Sequence, residues 1–194
     1  GVWGLCDRNS YLADRGSDWS LQVNANGGMA HHWVAWGALG GIWQFDRAIA
    51  EGKRAGELDP LSLINNADLV LVHSVARRYD EAIAQIRKTI EIDPRFYLAH
   101  YYLGQAFQLK GQLTEAIVEY QKAVELDDDP DALAYLGQAY ARAGRRDEAQ
   151  KILARLTEAA KSRHVSAHSM AHMFIGLGDT EQAIGASERR ARAR

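Results

Sequence analysis

The chain's 194 residues include 23 Lys and Arg against 25 Asp and Glu, a formal net charge of -2, and 47% hydrophobic residues, which is enough to bury one sizeable domain or a short repeat array and too apolar for disorder. Three prolines, 17 scattered glycines and the single cysteine, Cys6, exclude a collagen-like chain and a disulfide scaffold. The near-balanced charge gives no global attraction for nucleic acid or anionic lipid.

Residues 1–28 follow no repeat and read as an irregular Trp-containing N-terminal segment or the remnant of a shortened repeat. All five tryptophans, Trp3, Trp19, Trp33, Trp36 and Trp43, fall within the first 43 residues. They are expected either to cap the N-terminal end of the folded chain, with His31 and His32 packed beside Trp33, or to form an aromatic patch for self-association or domain docking. Residues 19–45 carry no Asp, Glu, Lys or Arg, but Gln22, Asn24, Asn26, His31 and His32 interrupt the apolar run. The apolar core at 33–43 is shorter than the roughly 20 residues of a spanning helix, so no membrane association is expected. The first residue is Gly and no basic-then-apolar signal comes after it, so the chain reads as a fragment or a processed form.

From residue 29 onward an internal period governs the sequence. Ala48, Ala82, Ala116, Ala149 and Ala183 are spaced by 34, 34, 33 and 34 residues, giving units at 29–62, 63–96, 97–129, 130–163 and 164–194. Helical stripes such as Leu98, Tyr102, Leu103, Ala106, Phe107 and Ala116, Ile117, Tyr120, Ala123, Val124 put two helices in each unit. Gly111, Gly144 and Gly178 stand where the first helix must end in a left-handed residue. Asp46, Asp80, Thr114 and Asp147 follow three residues later, placed to cap the second helix. Asp59-Pro60, Asp93-Pro94 and Asp129-Pro130 close their units. Trp36 and Trp43 in the first unit and Arg77 in the second stand where glycine is preferred, so those two turns are expected to be less regular. The end, residues 185–194, lacks large apolar residues and is expected to fray.

The segment YLAHYYLGQAFQLKGQLTEAIVEYQKAVELD resembles a tetratricopeptide repeat (TPR) at Leu103, Gly104, Phe107, Ala116, Tyr120 and Ala123. Glycine and proline every 15–20 residues exclude the heptad coiled coil as a competitor. The resemblance covers residues 29–186 and implies an all-α fold, a right-handed α-solenoid of about five helix-turn-helix repeats with a concave binding groove. It also implies which first-helix positions face that groove: Trp33, Ile64, Leu71, Leu98, Tyr101, Gln105, Gln108, Gln138, Arg142, His168 and His172. That lining is apolar and aromatic toward the N-terminus and amide-rich in the middle, which suits an extended peptide or a partner helix. The family's grooves for chaperone carboxylate tails carry lysine, asparagine and arginine, a set this lining lacks, and Asp68 and Asp131 would repel a carboxylate.

His164, His168 and His172 recur every four residues and are expected on one helix face, where two imidazoles could chelate zinc or nickel. No carboxylate or cysteine falls in that run to complete a site, so no metal or other cofactor is expected. Arg189, Arg190, Arg192 and Arg194 read as a solvated tail rather than a nucleic-acid arm. Asp127, Asp128 and Asp129 lack the spacing of a calcium loop and read as a helix terminus and linker. No hydrolase, metalloprotease, phosphate-loop or dinucleotide motif occurs. The expected role is a non-catalytic protein–protein interaction scaffold for a protein or peptide partner, placed in the cytoplasm by its lone cysteine. The AHHW run and the ELDPLSLINN segment resemble bacterial arrays in longer chains. They support a second reading, a regulatory or oligomerisation module of a larger signalling or transcription-regulator protein. A third is a metal-dependent enzyme using the histidine row.

Overall fold

The structure is a computed structural model and describes residues 44–59, 62–162 and 164–192, leaving aside the side chains of residues 64, 68 and 187–192. The expectations for residues 1–28, Cys6, His31, His32, Pro60 and the five tryptophans, and for the side chains of Ile64, Asp68 and the terminal arginines, lie outside the described residues. The chain divides between Pro94 and Arg95 into two compact units. Unit 1 contains α1 (Phe45–Leu58), α2 (Leu63–Val75) and α3 (Tyr79–Ile92). Unit 2 contains α4 (Tyr97–Lys110), α5 (Leu113–Leu126), α6 (Pro130–Arg142), α7 (Arg146–Ala159), α8 (Ala167–Leu177) and α9 (Thr180–Arg192). Every regular element among the described residues is helical.

The first helices of three repeats are started by side chains. The Ser62 hydroxyl accepts the Asn65 N–H at 3.3 Å, Asp129 accepts those of Asp131 and Ala132 with Pro130 as the first helical residue, and Ser166 accepts that of Ser169 at 3.0 Å. Each satisfies donors that a helix N-terminus otherwise leaves open. The second helices α1, α3, α5 and α7 begin differently. Their N-caps are Gln44, Arg78, Gln112 and Arg145, none with a side-chain cap. Asp46, Asp80 and Asp147 lie inside the first turn, so they act on the helix dipole and are not the caps their register suggested. Asp127 ends α5 and Asp129 starts α6, the terminus-and-linker role expected of the aspartate run.

Each helix pair is joined by the same turn. The N–H groups of Arg78, Gln112, Arg145 and Asp179 reach back to the carbonyls of His73, Phe107, Tyr140 and Phe174 at 2.8–2.9 Å, the long bond of a Schellman motif. The residue before each donor is left-handed: Gly111 at φ 86°, Gly144 and Gly178 at 78°, and Arg77 at 59°. The Arg77 turn is thus as regular as the others, contrary to expectation, and the irregularity is moved into a strained backbone. A left-handed L-residue costs about 1–2 kcal/mol, and glycine's unfolded-state entropy returns about 0.5–1. Arg77→Gly should therefore stabilise unit 1 by about 0.5–1 kcal/mol, read as a higher urea midpoint at unchanged slope; a lower midpoint would refute the strain.

Packing follows the alanine register. Ala48, Ala82, Ala116 and Ala149 are completely buried and Ala183 nearly so, each small enough for two helix backbones to approach. In unit 1, α2 packs on α1 and α3, with Ala48, Ile49 and Val72 clustered against Ala76. In unit 2, α5 packs on α4 and α6, and α6 on α7 and α8. The last helix does not end early as expected. Asp179 caps it through the Gln182 N–H at 3.1 Å, and Ala183 and Ala186 cluster with Ala171 and Phe174 of α8. Small residues suffice because Phe174 supplies the bulk.

Candidate functional site

Helices α4, α6 and α8 are the first helices of three successive pairs. Residues four apart on each share a face, and the side chains on those faces meet. Tyr101 of α4 sets its ring edge-on to Tyr135 of α6, centroids 5.4 Å apart and planes at 90°. Tyr135 stacks on His172 of α8 at 4.4 Å, and His168 meets His172 edge-on at 4.3 Å. Tyr102 and the wholly buried Tyr120 of α5 back this row, their rings 5.3 and 6.2 Å from that of Tyr101. These are favourable edge-face and offset geometries for aromatic rings.

An amide ladder runs beneath the rings. Gln108 Nε2 donates to Gln138 Oε1 at 2.7 Å, with the two residues 7% and 6% exposed. Gln138 Nε2 then faces His172 Nδ1 at 3.4 Å, and His172 Nε2 faces the Tyr135 hydroxyl at 3.3 Å. With Gln138 presenting an N–H to Nδ1, the ladder assigns the imidazole hydrogen to Nε2, where it points at Tyr135. Burial and the neighbouring His168 hold the His172 pKa below its ordinary value, against the opposing pull of Asp131, which keeps the ring neutral and the ladder intact.

Asp131 closes the N-terminal edge of this face. Its Oδ1 accepts from Ser166 Oγ at 3.3 Å and, in a short contact, from Ser169 Oγ. The two hydroxyls lie 2.6 Å apart. Burial pushes the Tyr101, Tyr120 and Tyr135 phenols upward, with neighbouring phenols adding at Tyr101 and Tyr120 and a hydrogen bond to Tyr101 partly opposing it at Tyr135, so all three stay protonated at neutral pH. On the other side of α4, His100 Nδ1 meets Glu119 Oε2 at 2.7 Å and Lys122 donates to Oε1 at 2.8 Å. Burial opposes ionisation of Glu119, and those two hydrogen bonds outweigh it and lower its pKa. This pair fastens α4 to α5 and belongs to the scaffold.

The expected groove residues fall into several environments. Tyr101, Gln105, His172 and Leu98 are half-buried on α4 and α8, Arg142 and His168 are more open, and Gln108 and Gln138 are buried and paired with each other. Leu71 is half-buried on α2 of unit 1. Trp33 and the Ile64 side chain lie outside the described residues. The three histidines do not share a helix. Ser166 starts α8 at Ala167, which leaves His164 exposed in the preceding connection and only His168 and His172 on the helix. Among the described residues no three His, Cys, Asp or Glu side chains gather to hold a metal ion, and no helix is long and apolar enough to cross a membrane. Tyr135 and the two serines were not anticipated. The signal for Tyr135 is its place four residues after Asp131 and three before Gln138; its neighbour Ala134 is completely buried.

Two family models match this part of the chain, a TPR repeat over residues 109–144 and a tetratricopeptide repeat over 131–161. The solved structure of TTC0263, a thermophilic TPR protein of Thermus thermophilus, is 21% identical with a TM-score of 0.72, covering 91% of this chain and 92% of its own. MamA from Desulfovibrio magneticus RS-1 is 19% identical with a TM-score of 0.62, over 79% of this chain and 96% of its own. YrrB, described as a TPR protein with an unusual peptide-binding site, is 23% identical with a TM-score of 0.55, over 88% of each chain. No curated protein matches the sequence. Repeated Schellman turns, buried alanines at the 34-residue period, direct repeat matches and a shared fold converge on one assignment: residues 109–161 carry tetratricopeptide repeats, and the chain is similar in fold to TPR proteins.

Proposed function

We propose that the chain is a non-catalytic protein-interaction scaffold and that the unit 2 face built by α4, α6 and α8 receives an extended peptide or a partner helix. The observation that carries this reading is the ring row of Tyr101, Tyr135, His172 and His168, which offers large, rigid contact area at little entropic cost. Gln105, half-buried one turn beyond Tyr101, supplies an adjacent amide, and Leu98 and Arg142 extend the same face toward its two ends. Gln108 and Gln138 serve it from below by fixing His172. In unit 1, Trp33, Ile64 and Leu71 belong to the same proposal through their repeat register. The unusual peptide-binding site for which YrrB is described gives a precedent within the fold.

A displayed library of random nonapeptides tests this. Wild-type protein should enrich a sequence family that a Tyr101→Ala, Gln105→Ala double variant, matched in thermal stability, loses by about tenfold or more. Equal enrichment by both proteins, or none by either, would overturn the reading.

A further inference from the structure

The peptide-binding face has a charge pattern that narrows its ligand. Asp131 is half-buried at the first turn of α6, and its Oδ1 is held by Ser166 and by Ser169, the latter completely buried. These bonds fix the carboxylate's direction and leave Oδ2 without a partner among the described residues. The charge reaches the rings around it as a small addition to the effect of burial. Behind burial, Asp131 contributes to the upward displacement of the Tyr97, Tyr101 and Tyr135 phenols, and Asp127 and Asp129 add to it at Tyr97. Arg142, which opposes the upward shift at Tyr120, stands three turns along α6 from Asp131, about 16 Å away.

A half-buried carboxylate with one open oxygen, close enough to two neutral phenols to act on both, is a poor host for an anion and a good one for a delocalised cation. Gln108 Oε1, in the ladder under the same rings, is a buried acceptor with no donor, a second group on this face that lacks a hydrogen.

We infer that the α4–α6–α8 face takes a basic side chain of a separate partner peptide, arginine before lysine, with its charge on Asp131 Oδ2 and its plane against the Tyr101 ring. The inference rests on the peptide-binding reading above. Arginine is favoured because a planar guanidinium can stack on a ring and donate to a carboxylate at the same time, whereas an ammonium can only point.

The test uses the full chain and three fluorescein-labelled random nonapeptide pools whose central residue is arginine, its neutral isostere citrulline, or glutamate, read by anisotropy. The arginine pool should bind about tenfold tighter than the citrulline pool, and the glutamate pool weakest. Asp131→Asn, which keeps an acceptor for the two serines, should bring the arginine pool to the citrulline level and leave the citrulline pool unchanged. The wild-type ranking stands as a test even if that variant does not fold. Equal binding of the arginine and citrulline pools would overturn this inference while the peptide-binding reading survives; binding of no pool, with no enrichment from the display library, would overturn both. A mass that grows with concentration and reverts on removal of residues 187–194 would overturn the separate partner in favour of a second copy's arginine-rich end.

Discussion

Tyr120→Ala should destabilise the protein by about 3–5 kcal/mol, whereas Tyr120→Phe should leave stability within about 0.5 kcal/mol of wild type or raise it. The two changes separate the ring from its hydroxyl. The ring is completely buried between α5 and α4, and a Cβ built on Gly104 would fall 2.7 Å from its Cδ1 and Cε1, so the aromatic carbon fills space that only a glycine leaves open. Removing it loses the transfer free energy of a large side chain and leaves a cavity that two packed helices cannot readily close. It also removes the backing of Tyr101 and Tyr135, whose ring centroids lie 6.2 and 6.0 Å away. The hydroxyl is buried and has no hydrogen-bond partner, so its deletion forfeits no bond and relieves a desolvation cost. Urea unfolding followed by circular dichroism checks both variants. A phenylalanine costing as much as half of the alanine would mean that the hydroxyl has a partner, and the packing argument would need one.

The same contrast between ring and hydroxyl explains what could be read in advance. A 34-residue period in alanine and a glycine five residues before it are local facts: one side chain small enough for a helix crossing, one backbone able to turn left-handed. Both survive folding unchanged, so Ala116 and Gly111 took their places as expected. Arg77 shows the limit from the other direction. The turn geometry is set by the Schellman bonds of the pair, so the chain accepts strain at an arginine rather than change the turn. Contacts between repeats were less legible. Whether Gln138 faces a ligand or Gln108 depends on how closely α4 and α6 approach, which glycines and alanines on both helices decide jointly. Tyr135 is hard to assign from sequence because its turn also contains Ala134, and small residues at a crossing and large ones beside it trade places with a small rotation of the helix. The spacing of His164 predicts a helical position, but Ser166 accepts the Ser169 N–H and the helix starts at Ala167; capping overrides periodicity.

Gly176→Ala should be the most damaging of the single-carbon additions, costing about 3 kcal/mol, the upper part of the range for overpacking. A Cβ there would stand 2.8 Å from Gln138 Cα and 3.0 Å from its Cγ. The first of these is backbone, so relief requires α8 to move away from α6. Gly137→Ala makes the instructive comparison. Its Cβ would overlap Met173 Sδ more deeply and come within 2.8 Å of Ile152 Cγ2, but an unbranched thioether can rotate where a backbone cannot, and alanine returns up to about 1 kcal/mol of helix propensity. Gly176→Ala should therefore unfold at lower urea than Gly137→Ala, and the reverse order would show that α8 is free to shift. The consequence reaches the proposed binding face. Gly176 lies one turn beyond His172 on α8, and the atom it presses on belongs to Gln138, the residue facing His172 Nδ1. Separating the two helices by even a few tenths of an ångström lengthens a 3.4 Å contact beyond hydrogen-bond reach and frees the imidazole from its stack on Tyr135. Gly176→Ala should then lose peptide enrichment under conditions where it is still fully folded, while Gly137→Ala keeps it. Equal retention by both would mean that the face does not depend on the α6–α8 spacing, and the ladder would be packing alone.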